Sequence, residues 1–156
     1  MELLGAWASP IDLVLIVLLP KPDGGRRPIG LFPTIIRVWM RARIQIARDW
    51  ECAHSRPCLY GGPSIGAQRA SWLAALAAED AARRDEHFAQ SLLDLVKAFE
   101  MIPHRHIAVA AVKHGYSLWL LRLSLGAYRL PRAVGVEGVY SRLIMATRGI
   151  TVGSGF

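Results

Sequence analysis

The sequence has 156 residues, of which 53% are hydrophobic, and it carries a formal net charge of +7 at pH 7. This length suits one ordinary domain or a piece of a larger protein, and the apolar content excludes a disordered chain. A net positive charge of this size favours a polyanion as binding partner. The alternative is a basic protein that has no such partner.

The first predicted element is a β-hairpin. Ile11–Leu19 is an apolar run typical of a buried strand, and it is too short to span a bilayer. The turn residues Lys21–Gly25 follow, and Arg26–Phe32 can return as a second strand. The run also lacks the basic leader and cleavage site of a signal peptide, so no membrane association is expected.

Two helices are predicted next. Thr34 can cap a helix to about Cys52, on which Arg37, Arg41 and Arg48 share one face that could bind nucleic-acid phosphates or face solvent. The opposite stripe, expected to pack, comprises Ile35, Trp39, Ala42, Ile46 and Trp50. After a loop over His54–Pro63, Ser64 can cap a second helix over Ile65–Glu86.

The remaining elements complete a mixed pattern. Phe88–Leu95 is predicted as a strand, and His104–His114, between Pro103 and Gly115, as a helix. Leu118–Tyr128 is predicted as a further helix, and Pro131–Phe156 as a hairpin followed by an irregular segment. This order indicates an α+β fold without regular strand–helix alternation.

One carboxylate stands out. Asp94 ends the apolar run Phe88–Leu95, where burial without a partner is costly. A hard divalent cation is one suitable partner, because such cations bind carboxylate oxygens. The alternative is an aspartate that caps the following turn.

Three stretches, in this order, resemble motifs of reverse transcriptases, most closely those of non-long-terminal-repeat retrotransposons and group II introns. Leu19–Ile29 resembles the fingers motif with its Pro-Lys, glycine turn and Arg-Pro-Ile. Asp94–Glu100, followed by Pro103 and His104, resembles the first catalytic motif. Gly149–Ser154 resembles the motif that usually contains Gly, two variable residues, Gln and Gly.

The resemblance implies a partial right-hand polymerase fold, with fingers over residues 1–87 and the first part of the palm over residues 88–156. It implies RNA-templated DNA synthesis from deoxynucleoside triphosphates on a DNA primer, with Mg²⁺, or Mn²⁺ in its place, as cofactor. It also implies a nuclear or cytoplasmic location. The sequence itself contains no recognisable targeting signal.

Residue roles follow from the same resemblance. Asp94, and the backbone carbonyl of Leu95, would bind the catalytic metal. Phe99 would exclude a ribose 2′-hydroxyl, with core packing as the alternative. Lys21 and Arg27 would contact the incoming triphosphate, Arg27 more favourably because its guanidinium binds phosphate bidentately. Their alternative is a solvated hairpin tip.

The glycines of the third motif, Gly149 and Gly153, would allow backbone to approach nucleotide and template, with simple turn geometry as the alternative. Two positions depart from the family pattern: Val152 replaces the usual Gln, and Glu100 replaces the usual Asp.

The sequence contains no Asp-Asp pair, which in the family completes metal binding. One carboxylate cannot hold two Mg²⁺ ions. The chain is therefore expected not to polymerise DNA by itself, and a genomic reading frame that continues past Phe156 into such a pair would mark it as part of a polymerase. The predicted strand Phe88–Leu95 would then have an unpaired apolar edge and low solubility.

Two other classes of function stay open. One is a non-catalytic nucleic-acid-binding module derived from such a domain. The other is an interaction or structural α+β domain in which the motifs are coincidental.

Overall fold

A computed structural model describes residues 1–61, 66–151 and 154. The chain divides into two compact units: Met1–Arg48 together with Lys97–Phe156, and Asp49–Val96. The predicted boundary at residue 87 divides the chain at a different point. Among the described residues, none of the helices combines the length and apolar character that crossing a bilayer requires.

The sheet belongs to the first unit and has the strand order β2-β1-β3-β4. Its strands are β1 (Val14–Pro20), β2 (Arg26–Leu31), β3 (Arg132–Val136) and β4 (Val139–Tyr140). Strand β1 pairs antiparallel with β2 and parallel with β3, and β3 pairs antiparallel with β4. The sheet is therefore mixed, and the fold of the described residues is α+β, as predicted.

The predicted first hairpin is confirmed. Gly24 N–H donates to the Lys21 carbonyl at 3.1 Å, and Lys21 N–H donates to the Gly25 carbonyl at 2.8 Å. Gly24 has φ +80°, which glycine adopts without steric cost. A turn closed in this way fits the right-handed twist of the two strands.

Five helices occur in the described part of the chain: α1 (Thr34–Ala53), α2 (Ala67–Arg83), α3 (Ala98–Met101), α4 (His104–Lys113) and α5 (Leu118–Tyr128). The predicted bounds of α1, α4 and α5 agree within one residue at each end. Helix α2 ends three residues before the predicted Glu86, and its predicted cap Ser64 and first residue Ile65 lie outside the described residues.

The predicted packing face of α1 is only partly right. Trp39 packs against the core, and Ile46 and Trp50 are half-buried, whereas Ile35 is 42% exposed and Ala42 is exposed. The buried residues of this helix are Ile36 and Met40. Apolar residues lie on both sides of this helix, so its periodicity alone does not decide which side packs. The core that α1 joins consists of Val14, Phe32, Ile36, Met40, Ala127 and Tyr128.

The predicted strand over Phe88–Leu95 is wrong. These residues have no regular secondary structure, and Leu92 and Leu93 are 86% and 89% exposed. A strand exists only when its backbone pairs with another, and an apolar run encodes no partner. For the last segment, the predicted hairpin is confirmed as β3–β4, and the described residues after it, 141–151 and 154, form neither a helix nor a regular strand.

Candidate functional site

The hairpin residues of the first motif border a cleft of about 410 Å³ in the first unit. Lys21 and Arg26 line it from the β1–β2 turn, and Glu137 lines it from the β3–β4 turn. None of these three side chains forms an ion pair within the described part of the chain. Their charges are therefore free to meet a ligand.

Arg27, the arginine favoured from sequence, is exposed on β2 but is not part of this lining. Sequence reasoning missed Arg26 because a single sequence does not tell which residues of a hairpin border an open space.

Glu137 was also missed. It has φ +51° at the first of the two positions of the β3–β4 turn, and Gly138 has φ +82° at the second. Positive φ at both positions matches the tight hairpin turn that Asn-Gly usually forms. A glutamate there is strained, and Glu137 is one of the residues that line the cleft.

Asp94 and Leu95 lie in the second unit, on the segment without regular structure, and both are exposed. The alternative for Asp94 is capping of the following turn. The N-cap position of the next helix, α3, is Lys97, which makes no side-chain cap hydrogen bond. Lys97 has φ +51°, in the left-handed region that residues other than glycine seldom adopt.

Phe99 lies on α3, and its side chain is 61% exposed. The core-packing alternative for this ring is therefore wrong. Its backbone, in contrast, is held, because Ile150 N–H donates to the Phe99 carbonyl at 2.8 Å. The second and third motifs thus meet through their main chains.

Gly149 makes this approach close. It is buried with φ +88°, and a Cβ added there would lie 2.8 Å from the Glu100 carbonyl oxygen. Its N–H donates to the Ile102 carbonyl at 2.8 Å. Only glycine fits both the positive φ and the contact, which goes beyond simple turn geometry. Gly153 and Val152 lie outside the described residues.

Two further side chains anchor the third motif: His104, which the sequence marked only as part of the motif that begins at Asp94, and Arg132, which it did not single out. His104 Nε2 donates to the Gly149 carbonyl at 2.9 Å. Arg132 donates from one Nη to the Tyr128 carbonyl at 3.0 Å and to Thr151 Oγ1 at 3.1 Å. Burial lowers the pKa of Arg132 from its ordinary value. Neither residue belongs to a sequence pattern that would reveal these long-range contacts.

The basic face of α1 is solvent-facing, as expected. Arg37, Arg41 and Arg48 are all exposed, and Arg37 donates to Thr34 Oγ1 at 3.3 Å. Arg43, off this face, pairs with Glu2 at 2.7 Å. The three arginines recur on one side of the helix, spaced so that each could meet a different phosphate.

Asp94 is a single exposed carboxylate, whereas Mg²⁺ needs near-octahedral oxygen coordination. The described residues contain no cluster of three or more His, Cys, Asp or Glu side chains that could hold a metal ion. The role of Asp94 as a metal ligand stays a prediction.

No protein-family model matches this chain, and no curated protein matches it significantly.

Proposed function

We propose that this chain is a reverse-transcriptase-type domain, comprising fingers and the first part of the palm, which binds a deoxynucleoside triphosphate and a template–primer. The observation that carries the proposal is the contact between its second and third motifs. These segments lie far apart in sequence, and the hydrogen bond from Ile150 N–H to the Phe99 carbonyl joins them.

Charge and exposure support the nucleotide part of the proposal. Lys21 and Arg26 line one cleft and lack ion-pair partners among the described residues, so a triphosphate would neutralise them. Arg27, which is exposed on β2, stays a candidate for contact with the phosphates. The exposed ring of Phe99 is available to exclude a ribose 2′-hydroxyl.

Catalysis requires more than these residues. Two Mg²⁺ ions would supply the activation of a primer 3′-hydroxyl and the stabilisation of the leaving oxygen. Asp94 would contribute one carboxylate to that site. The chain alone is therefore expected to bind nucleotide without extending a primer, and template-dependent incorporation by the purified protein would contradict this expectation.

The direct test is nucleotide affinity in the presence of Mg²⁺, measured by calorimetry with deoxy- and ribonucleoside triphosphates. Wild type should favour the deoxynucleotide, and Phe99→Ala should bind the ribonucleotide more tightly than wild type does. Failure of wild type to bind either nucleotide would overturn the proposal.

Variants of the hairpin identify the residues that bind phosphate. A comparison of Arg26→Ala with Arg27→Ala shows which arginine binds the phosphates. Lys21→Ala shows whether the lysine of the turn binds them as well. Arg129→Ala, an exposed arginine at the C-terminal end of α5, is the matched control and should leave affinity unchanged.

A second candidate function, a non-catalytic nucleic-acid-binding module, is favoured by the exposed arginines of α1. Each arginine that binds a phosphate should contribute roughly one unit to the log–log slope of RNA affinity against salt concentration. Arg37→Ala/Arg41→Ala should therefore lower the slope by about two units. Arg105→Ala, exposed on α4, serves as the control. RNA binding that responds neither to salt nor to these variants would exclude this candidate.

A further inference from the structure

The segment that contains the third motif is held by buried polar side chains. His104 and Thr151 are each 3% exposed, and apart from Ser124 they are the buried polar residues of the described chain. The Tyr128 hydroxyl adds a 2.7 Å hydrogen bond to Ser154 Oγ. A segment without helix or strand is thus fixed by specific contacts.

The hydrogen bond of His104 has a defined direction. A carbonyl oxygen only accepts, so His104 Nε2–H is the donor to Gly149. The other ring nitrogen, Nδ1, is buried without a hydrogen-bond partner in the described residues. Burying a polar atom without a partner is unfavourable, so a histidine is a poor choice for filling this space unless its single hydrogen bond matters.

Arg132 shows the same pattern. Its guanidinium joins the last carbonyl of α5 to the Thr151 hydroxyl, while its Nε is buried without a partner in the described part of the chain. The main chain of Arg132 is bonded as well, because its N–H donates to the Ile144 carbonyl at 2.9 Å. Thr151 is therefore hydrogen-bonded to Arg132, a residue whose main chain is also held by a hydrogen bond.

These contacts continue to Phe99. His104 holds the Gly149 carbonyl, and Arg132 holds the Thr151 side chain. Ile150, between them, donates its N–H to the Phe99 carbonyl. The backbone of Phe99 is thus positioned by a segment with an anchor on each side, while its ring stays exposed.

We propose that His104 and Arg132 are positioning residues for Phe99, and that through Gly149–Thr151 they set the discrimination between deoxy- and ribonucleoside triphosphates. The proposal rests on the function proposed above. A ring that excludes a hydroxyl must be held within roughly 0.5 Å, because a larger displacement opens the space that it blocks.

The test compares variants that keep or lose each donor–acceptor pair. His104→Gln keeps a side-chain amide near the Nε2 position, and His104→Leu removes it; Thr151→Ser keeps the hydroxyl, and Thr151→Val replaces it with a methyl group. The readout is the affinity for the deoxynucleoside triphosphate divided by the affinity for the ribonucleoside triphosphate. His104→Leu and Thr151→Val should lower it about tenfold, since a displacement near 1 Å can cost up to a hundredfold. The conservative variants should retain it.

A merely structural role predicts a different result. Destabilisation lowers the binding-competent fraction equally for both nucleotides, so their affinity ratio stays constant. An unchanged ratio in His104→Leu and Thr151→Val would overturn the proposal. Thr151→Val is nearly isosteric and keeps the test decisive if His104→Leu does not fold.

Amide hydrogen exchange separates this proposal from the proposed function. His104→Leu should accelerate exchange at the amides of Gly149 and Ile150 and leave the β1–β2 amides unchanged. If wild type binds neither nucleotide, the proposed function fails, and exchange still decides whether His104 holds this segment. Unchanged exchange at both amides would overturn the positioning role.

Discussion

Ile150 N–H donates a 2.8 Å hydrogen bond to the carbonyl of Phe99, and this bond joins two segments whose sequences each resemble a polymerase motif. The contact requires Gly149 beside it, because the main chain of Glu100 passes too close for a side chain. The resemblance predicted that Gly149 and Gly153 let the backbone approach the nucleotide and template, which stays a prediction. In the structure, the group that lies close to Gly149 is the main chain of Glu100.

Gly149→Ala should be more destabilising than Gly138→Ala. Both glycines have positive φ, which costs alanine about 1–2 kcal/mol. A Cβ at Gly149 would also meet backbone atoms at 2.8–3.2 Å, whereas nothing lies within 4 Å at Gly138. The clash should add about 1–3 kcal/mol in urea denaturation. Equal losses would show that the close contact between Gly149 and Glu100 does not exist.

Replacing Ile36 with alanine should lower the free energy of unfolding by about 2–5 kcal/mol, because this side chain is fully buried. The matched control is its neighbour Ile35, which is 42% exposed. Ile35→Ala should cost less than about 1 kcal/mol. Denaturation of both variants decides which face of α1 packs, and the reverse order of losses would restore the stripe predicted from sequence.

Acid should weaken the attachment of the N-terminal segment to α1. The pKa of Glu2 is lowered from 4.5 to about 2 by hydrogen bonds first from Arg43 and then from Trp39. A folded-state pKa below the unfolded value means that the contribution is complete above pH 4.5 and is lost as the pH falls towards 2.

Glu2→Gln should therefore melt below wild type at neutral pH, and this difference should close between pH 4.5 and 2. The effect should be modest and smaller at high salt, because the pair is exposed. Asp12→Asn, which removes an exposed carboxylate without an ion pair in the described residues, is the control and should leave the melting temperature at neutral pH unchanged. A melting difference that is constant from pH 7 to 2 would exclude this ion pair as its cause.

The exposed apolar segment over residues 92–96 should drive association. Leu92, Leu93, Leu95 and Val96 are 75–89% exposed. Leu93→Lys should reduce aggregation, measured by light scattering, without changing the helical circular dichroism. Val139→Lys adds the same charge at a 73% exposed residue of β4 and controls for net charge. A monodisperse wild-type monomer with a cooperative melt would contradict the prediction.

Local chemistry explains what sequence alone determined. Residues that are close together in the chain set three features: the turn at Lys21–Gly25, the ends of α4 at a proline and a glycine, and the length of α5. Each of these features was predicted within one residue. The α+β class follows from the same signals. Exposure of Arg37, Arg41 and Arg48 was also predictable, because charged residues on one helix face rarely pack.

Only the tertiary structure decided which residues pack, pair or form hydrogen bonds with one another. Periodicity places Ile35 and Ile36 on adjacent sides of α1, but what packs against the helix determines which one is buried. An apolar run such as Phe88–Leu95 becomes a strand only if a second backbone pairs with it. The parallel pairing of β1 with β3, and the bonds of His104 and Arg132 to the third motif, join distant residues, and such long-range contacts leave no periodic signal in a single sequence.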